Sequence, residues 1–366
     1  MSSIVGSVST DFATLGEIRD AALARFDPAV TDFVEGGAGD EVTLRRNRAA
    51  FERWAFRPLL MTGHDRPDTA TTFLGEELAL PVLTAPFGAD GLIHPEGHKA
   101  VARANKRAGV VSIVPEAGTF SFADVHATAP GAARIAQVHP VGSDEDFAHV
   151  VANIEAAGYD ALCVTCDCAT AGWRERNRRN RWTPDPKTVS GNRPPDEADG
   201  TGSTIGRLLR PTGPVWSWLE LGTRLSQSTS LPWLAKGVMT DESAFGALDA
   251  GASGLLVSNH GGRQLDGQLS SLEVLPRIRA AVGPDVPIAL DSGVRRGSDV
   301  IKAIALGADV VVLGRLAVYA LAAAGEEGLC RMYELLHEEM VSVLANLGRG
   351  SVRDLDRTAV TRTEPF

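Results

Sequence analysis

Several things are scarce or missing in this 366-residue chain. No apolar run approaches the ~18 to 20 residues that cross a bilayer. The opening stretch MSSIVGSVSTDF lacks the basic start and long apolar core of a secretion signal. A soluble, cytoplasmic protein with no membrane partner is expected. Positive charge is in deficit, 36 basic residues against 46 acidic ones. The resulting net charge of −10 disfavours a general nucleic-acid or anionic-membrane binder. Four cysteines are too few for a disulfide framework in a chain of this length. Three of them, Cys163, Cys166 and Cys168, fall in ALCVTCDC. Strand alternation puts Cys166 and Cys168 on one face and Cys163 on the other, so packing is expected and no metal site. No GxGxxG, Walker A or HExxH motif occurs, which removes support for Rossmann, P-loop and zincin chemistry.

What is present is a recurring junction. Helix-like stretches end in Ala-Gly or Gly-Ala at 108–109, 157–158, 251–252 and 307–308, and a short apolar strand follows each. Glycine suits the helix C-cap because it accepts positive φ. With the runs LPVLTAPFG, ARIAQVH, LPWLAKG and VPIALDSG this makes eight strands, beginning near 81, 110, 133, 161, 231, 254, 286 and 309. Six of the seven spacings fit one βα unit each. Apolar strands alternating with helices imply a parallel sheet covered by helices, and eight units imply a (β/α)8 TIM barrel forming a single domain over 1–366. The seventh spacing, 70 residues, holds an insertion at about 182–214, rich in Pro, Gly and charge, which is expected to be a mobile lid after strand four. Residues 1–80 read as a helical N-terminal segment, and the stretch after strand eight reads as an amphipathic closing helix.

In such a barrel the C-terminal ends of the strands face the active site. They carry Pro86-Phe87-Gly88, Glu116, Gln137 with His139, Thr165 with Asp167, Lys236, Ser258 to Arg263, Asp291 to Arg295, and Gly314-Arg315. The Gly-plus-Arg signals DSGVRRG and LGR, on strands seven and eight, form a phosphate cradle of open backbone amides, a helix N-terminus and guanidinium groups. Lys236 suits either a Schiff base or a fixed cation beside an anionic cofactor. His260 suits a general base, with Asp167 orienting its imidazole, and Arg263 a bidentate carboxylate clamp. Arg174, the first arginine of WRERNRRNRW, is a further site candidate.

SNHGGRQLD, LAKGV, DSGVRRGSDVIKAIALGAD and HPEG together resemble the FMN-dependent α-hydroxy-acid oxidase/dehydrogenase family, from about residue 15 onwards. The resemblance implies FMN as cofactor, His260 as base with Asp167 as its partner, and Arg263 and Arg174 as substrate-carboxylate clamps. It implies Lys236 beside flavin N1/O2, and Gln137, Thr165 and Ser258 against the flavin ring. Pro86, Phe87 and Gly88 would lie near N5, with Asp291, Ser292, Gly293, Arg295, Gly314 and Arg315 at ribityl and phosphate. It also implies a small carboxylate substrate, O2 as acceptor and a homotetramer. The chain departs from the pattern where two substrate-binding tyrosines fall on Phe33 and His139, a flavin-contacting serine falls on Pro115, and a Gly-Gly is Ser292-Gly293. Open alternatives are oxidation at an amine or ring carbon of an atypical substrate, a Schiff-base aldolase using Lys236, and a flavin-binding protein with a degenerate site.

The two lost hydroxyls generate an expectation about substrate. Each missing hydrogen bond to a charged group costs about 1.5 to 3 kcal/mol. Turnover of glycolate and L-lactate is therefore expected to be weak, to improve in Phe33→Tyr with His139→Tyr, and to be exceeded on a bulkier acid. Steady-state kinetics checks this. A wild-type kcat/KM on lactate above about 10,000 per molar per second overturns it.

Overall fold

Four helices start at a serine followed three residues later by an acid, and in each case both halves of a capping box form. Ser121 with Asp124, Ser143 with Asp146, Ser217 with Glu220 and Ser270 with Glu273 satisfy the first free amides of their helices. At the other ends, Gly109 (φ +64) and Gly158 (φ +74) take the left-handed conformation that the junctions imply. These punctuation marks cut the chain into βα units.

The computed structural model describes residues 10–64, 66–192 and 216–363. Its centre is a closed barrel of eight parallel strands. These are β1 (Val82–Thr84), β2 (Val111–Pro115), β3 (Arg134–Val138), β4 (Ala161–Thr165), β5 (Trp233–Val238), β6 (Gly254–Val257), β7 (Ile288–Leu290) and β8 (Val310–Leu313). β8 pairs with β1 and closes the ring. The strands begin within two residues of the positions expected from sequence. Alternate side chains fill the interior, among them Leu83, Ile113, Ile135, Cys163, Leu234, Leu256, Ala289 and Val312. The opposite faces join the larger core beneath the helices.

The N-terminal expectation needs an addition. α1 (Leu15–Leu23), α2 (Pro28–Glu35) and α3 (Val42–Glu52) are helical, but two β elements follow. Trp54–Phe56 pairs antiparallel with Val360–Arg362, and the hairpin Thr71–Phe73/Glu76–Leu78 puts Phe73 and Leu78 into the interior cluster. An apolar stopper of this kind covers one end of the interior. The closing helix, Arg315–Leu347, is broken at Ala324 and Gly325, where a Cβ on Gly325 (φ +60) would meet the His94 ring.

The insertion expected as a lid follows β4. Its residues 193–214 lie outside the described residues. Residues 186–192 are pinned to the loop after β2: Thr119 Oγ1 donates to Thr188 O, Gly191 N to Gly118 O, and Asn192 Nδ2 to Glu116 O.

Leu234 is fully buried in the barrel interior. Leu234→Ala is expected to cost about 2 to 5 kcal/mol, because the ring of strands collapses little around a cavity. Urea unfolding of wild type and variant checks this, and a loss below 1 kcal/mol contradicts a close-packed interior.

Candidate functional site

The turn after β6 places the central imidazole. His260 (φ +57), Gly261 (φ +66) and Gly262 (φ +74) are all left-handed. A Cβ on Gly262 would lie 2.7 Å from Leu44 N, and one on Gly261 would lie 2.8 Å from Arg315 Nη1. Glycine is therefore required at both positions by strain and by space. The turn is held by Ser258, whose Oγ accepts from His260 N (3.0 Å), and by Asn259, which caps Gly262 N. Asn259 and Asn47 of α3 bond each other reciprocally at 2.9 and 2.7 Å. The rare left-handed histidine thus projects from a doubly anchored loop.

Its Nδ1 lies 3.2 Å from Asp167 Oδ1, 3.3 Å from Lys236 Nζ and 3.6 Å from Cys168 Sγ. Burial and the Lys236 ammonium push the His260 imidazole down to about 4, against the pull of Asp167. Burial would raise Asp167, but Lys236 and His260 outweigh it and hold the carboxyl well below its usual range. Burial would lower Lys236, but Asp167 and Asp291 outweigh it and keep the ammonium charged. Asp291 goes the other way: burial raises it, and Lys236, Ser258 and Ser292 offset this only in part. A Schiff base would need Lys236 deprotonated, and the two carboxylates beside it oppose that.

The expected positions converge. Phe33, Pro86, Phe87, Gly88, Gln137, His139, Thr165, Arg174, Lys236, His260, Arg263, Asp291, Ser292, Gly293, Arg295, Gly314 and Arg315 all line one cavity of about 260 Å³. Asp167 and Ser258 stand behind it against His260. Gln137 Nε2 donates to Thr165 Oγ1 (3.0 Å), and its Oε1 accepts from Glu116 N (3.3 Å). Ser292 (φ +75) occupies a backbone conformation suited to glycine; its Oγ donates to Asp291 Oδ1 (2.7 Å) and accepts from Gly261 N (2.9 Å).

Two guanidinium groups hold the C-terminal end of α2. Arg263 donates to Phe33 O (2.6 Å) and Gly36 O (3.1 Å) and lies 5.0 Å from the Phe33 ring. Arg315 donates to Val34 O (2.7 Å), Gly36 O (2.8 Å) and Gly261 O (3.0 Å). Carbonyls at a helix C-terminus need such donors. Burial, with Arg174 and Arg315 close by, lowers Arg263 well below its usual range. Burial and Arg295 push Arg315 down to about 10. The cations therefore crowd one another, and the acidic groups near them offset their burial only in part. Arg174 lies close to Arg263 and Arg295 close to Arg315, while Lys236 interacts with two carboxylates on the same cavity wall. These residues fit a phosphate-bearing cofactor at one end and a carboxylate at the other.

The match to the family model for FMN-dependent dehydrogenases spans residues 22–362. The chain belongs to that family. It is 35% identical to an L-lactate oxidase of Lysinibacillus sphaericus over 360 residues, covering 95% of this chain and 92% of the relative. It is 36% identical to a peroxisomal (S)-2-hydroxy-acid oxidase of Oryza sativa subsp. japonica over 347 residues, 94% of each. Among solved structures, a lactate oxidase from Pediococcus acidilactici superposes with a TM-score of 0.88 at 32% identity, covering 97% of this chain and 96% of that one. A mandelate oxidase with benzoyl-formic acid gives 0.85 at 33%, covering 96% and 98%. The protein is thus an FMN-dependent oxidoreductase, as the resemblance implied.

Three features escaped the reading of the sequence. Strand β4 ends at Thr165, so Cys166 and Cys168 do not alternate on it. Cys163 and Cys166 are packing residues, but Cys168 reaches the site, and with Asp167 and His260 it brings three potential metal-ligand atoms within 4.8 Å. The Lys236 ammonium, 3.3 Å from His260 Nδ1, repels a metal ion from that trio. Gln264, inside the quoted SNHGGRQLD, was given no role. It accepts from Arg174 Nη2 and Gly172 N (both 3.2 Å) and donates to Asp167 O (3.3 Å) and Thr170 O (2.9 Å). Glu116, a strand-end residue by sequence, holds His139.

Lys236→Met leaves Asp167 and Asp291 buried without their cation. A loss of about 3 to 5 kcal/mol in unfolding free energy is expected at neutral pH. Asp167, depressed in the folded state, contributes stability above the unfolded carboxyl value of about 3.9, and this is lost as pH falls. The gap between wild type and Lys236→Met should therefore narrow in acid. A gap that stays constant from neutral pH to about pH 3 would contradict the pairing.

Proposed function

We propose that the protein oxidises a 2-hydroxy acid to the 2-oxo acid, with O2 as the final electron acceptor. The observation that carries this reading is that the His260 imidazole, its proton affinity lowered by burial and Lys236, shares one cavity with the buried guanidinium groups of Arg174 and Arg263. The substrate carboxylate would sit between those arginines, which present planar donors suited to bidentate pairing. Their placement next to His260 turns carboxylate binding into alignment of C2 and its hydroxyl with the base.

Asp167 Oδ1 would accept from His260 Nδ1–H, leaving Nε2 as the acceptor that faces the cavity. His260 then removes a proton from the substrate, and the imidazolium that forms is stabilised by Asp167. The FMN that these residues would hold would supply the acceptor for the two electrons released as the C2–H and O–H bonds break, and O2 would take up those electrons with two protons as hydrogen peroxide. Lys236 would hold a positive charge where negative charge develops on the cofactor. Gln137, Thr165 and the Pro86–Gly88 segment would orient the ring, with Ser258 behind the wall holding the His260 turn, and Asp291 to Arg295 with Gly314-Arg315 would hold the ribityl phosphate. Arg315 is then shared between the phosphate and the α2 carbonyls.

Among the described residues no helix is long and apolar enough to cross a membrane. A cytoplasmic homotetramer completes this reading. Curated relatives include proteins named as peroxisomal, so cell fractionation and sedimentation are the measurements that decide these two points.

The purified protein is expected to be yellow with non-covalent FMN, and to bleach anaerobically with 2-hydroxy acids. His260→Gln should keep FMN but slow bleaching by about 100- to 10,000-fold. Because burial and Lys236 hold His260 near 4, the wild-type bleaching rate should stay level from pH 8 to about 5 and fall as pH approaches 4. Stopped-flow reduction measures both. Near-normal bleaching in His260→Gln would move the base elsewhere, and a colourless protein that takes up no FMN would end the reading.

A further inference from the structure

His139 stands where the family pattern has a tyrosine, and Glu116 lies behind it. Glu116 is fully buried and does not line the cavity, whereas His139 does. Glu116 Oε2 accepts twice from the same residue, from His139 N at 2.8 Å and from Nδ1 at 3.0 Å. The Glu116 carbonyl is held in turn by Asn192 Nδ2 at 3.1 Å, and its amide by Gln137 Oε1 at 3.3 Å. The carboxylate is an acceptor only, so the ring proton it meets is on Nδ1.

The Gln137 amide nitrogen lies 3.2 Å from Nδ1 and 3.4 Å from Nε2. Two such similar distances place it over the ring face, because in the ring plane they would drive it into Cε1. Its hydrogen bond to Thr165 Oγ1 keeps it there. The in-plane lone pair of Nε2 is therefore left for the cavity.

We propose that Glu116 is a positioning residue that fixes the Nδ1–H tautomer of His139, so that this wall of the pocket accepts a hydrogen bond from the substrate. The favoured substrate is then a 2-hydroxy acid carrying a further hydroxyl on its side chain. Ala117 and Ala171, both small, line the same cavity as His139. The imidazole is shorter than a phenol and does not reach as far, so the donor must extend towards β3 from the substrate's own side chain. The tautomer assignment stands on geometry alone. The substrate class rests on the 2-hydroxy-acid reading above.

Two measurements separate these layers. Long-range 15N spectra of the intact protein labelled at histidine, recorded at mildly alkaline pH and assigned with His139→Phe, report the tautomer without any turnover. A protonated Nδ1 and a bare Nε2 on His139 are expected, with Glu116→Leu shifting the balance between the two tautomers. A proton on Nε2 in the wild type, or a tautomer indifferent to Glu116→Leu, which removes the acceptor, overturns the proposal. The second measurement is anaerobic flavin reduction by L-glycerate and L-lactate, which differ by one hydroxyl. Saturation with glycerate is expected at a concentration about 3- to 10-fold lower. That ratio should fall towards one in His139→Phe and Glu116→Leu, while the limiting reduction rates for the two acids keep their wild-type proportion. Equal saturation of the wild type by both acids overturns the substrate class. If neither acid bleaches the flavin, the 2-hydroxy-acid reading fails with it, and the 15N spectra still decide the role of Glu116.

Discussion

A single buried ammonium organises this molecule. Lys236 is almost wholly enclosed at the end of β5, yet it stays charged because Asp167 and Asp291 lie close enough to outweigh the cost of burial. Burial, with the same charge beside it, drives the imidazole of His260 down, and that charge together with His260 holds the Asp167 carboxyl down against burial. One cation thus lies within reach of an imidazole and a carboxylate and lowers the proton affinity of both. Few other arrangements give a histidine so low a proton affinity beside a carboxylate, whose own effect is in the opposite direction.

The second constraint lies at the end of α2. Arg263 and Arg315 come from separate βα units, and both donate to carbonyls of residues 33–36. Asn47 and Asn259 add a reciprocal pair between α3 and the turn that carries His260. The N-terminal segment is thereby part of the site and not a cover over it. The arrangement serves packing first: orphan helix carbonyls gain donors, and guanidinium groups that crowd one another are held in place on the cavity wall.

Much of this was legible in the residues. Glycines at helix ends and serines at helix starts carry local conformational information, so the eight strands could be placed within two residues of their positions. Polar groups at the ends of apolar strands can only face one mouth of a barrel, which is why His260, Arg263, Lys236, Asp291 and Arg315 were found. The β elements between residues 54 and 80 were not legible. Trp54–Phe56 owes its conformation to Val360–Arg362, some 300 positions away, and three-residue strands leave no periodicity. Cys168 was misplaced because strand alternation was extended past Thr165, where the strand stops.

By itself, then, the order of residues determined the barrel, the family and the chemical types at its mouth, because caps, periodicity and motifs act over a few neighbours. Tertiary structure decided what those types do to one another. That Lys236 sits 3.3 Å from His260, that Gln264 ties Arg174 to the loop bearing Asp167, and that Glu116 turns His139 towards the cavity are facts of proximity between strands. Proton affinity and tautomer depend on distance and burial, and no stretch of sequence specifies either until the barrel closes.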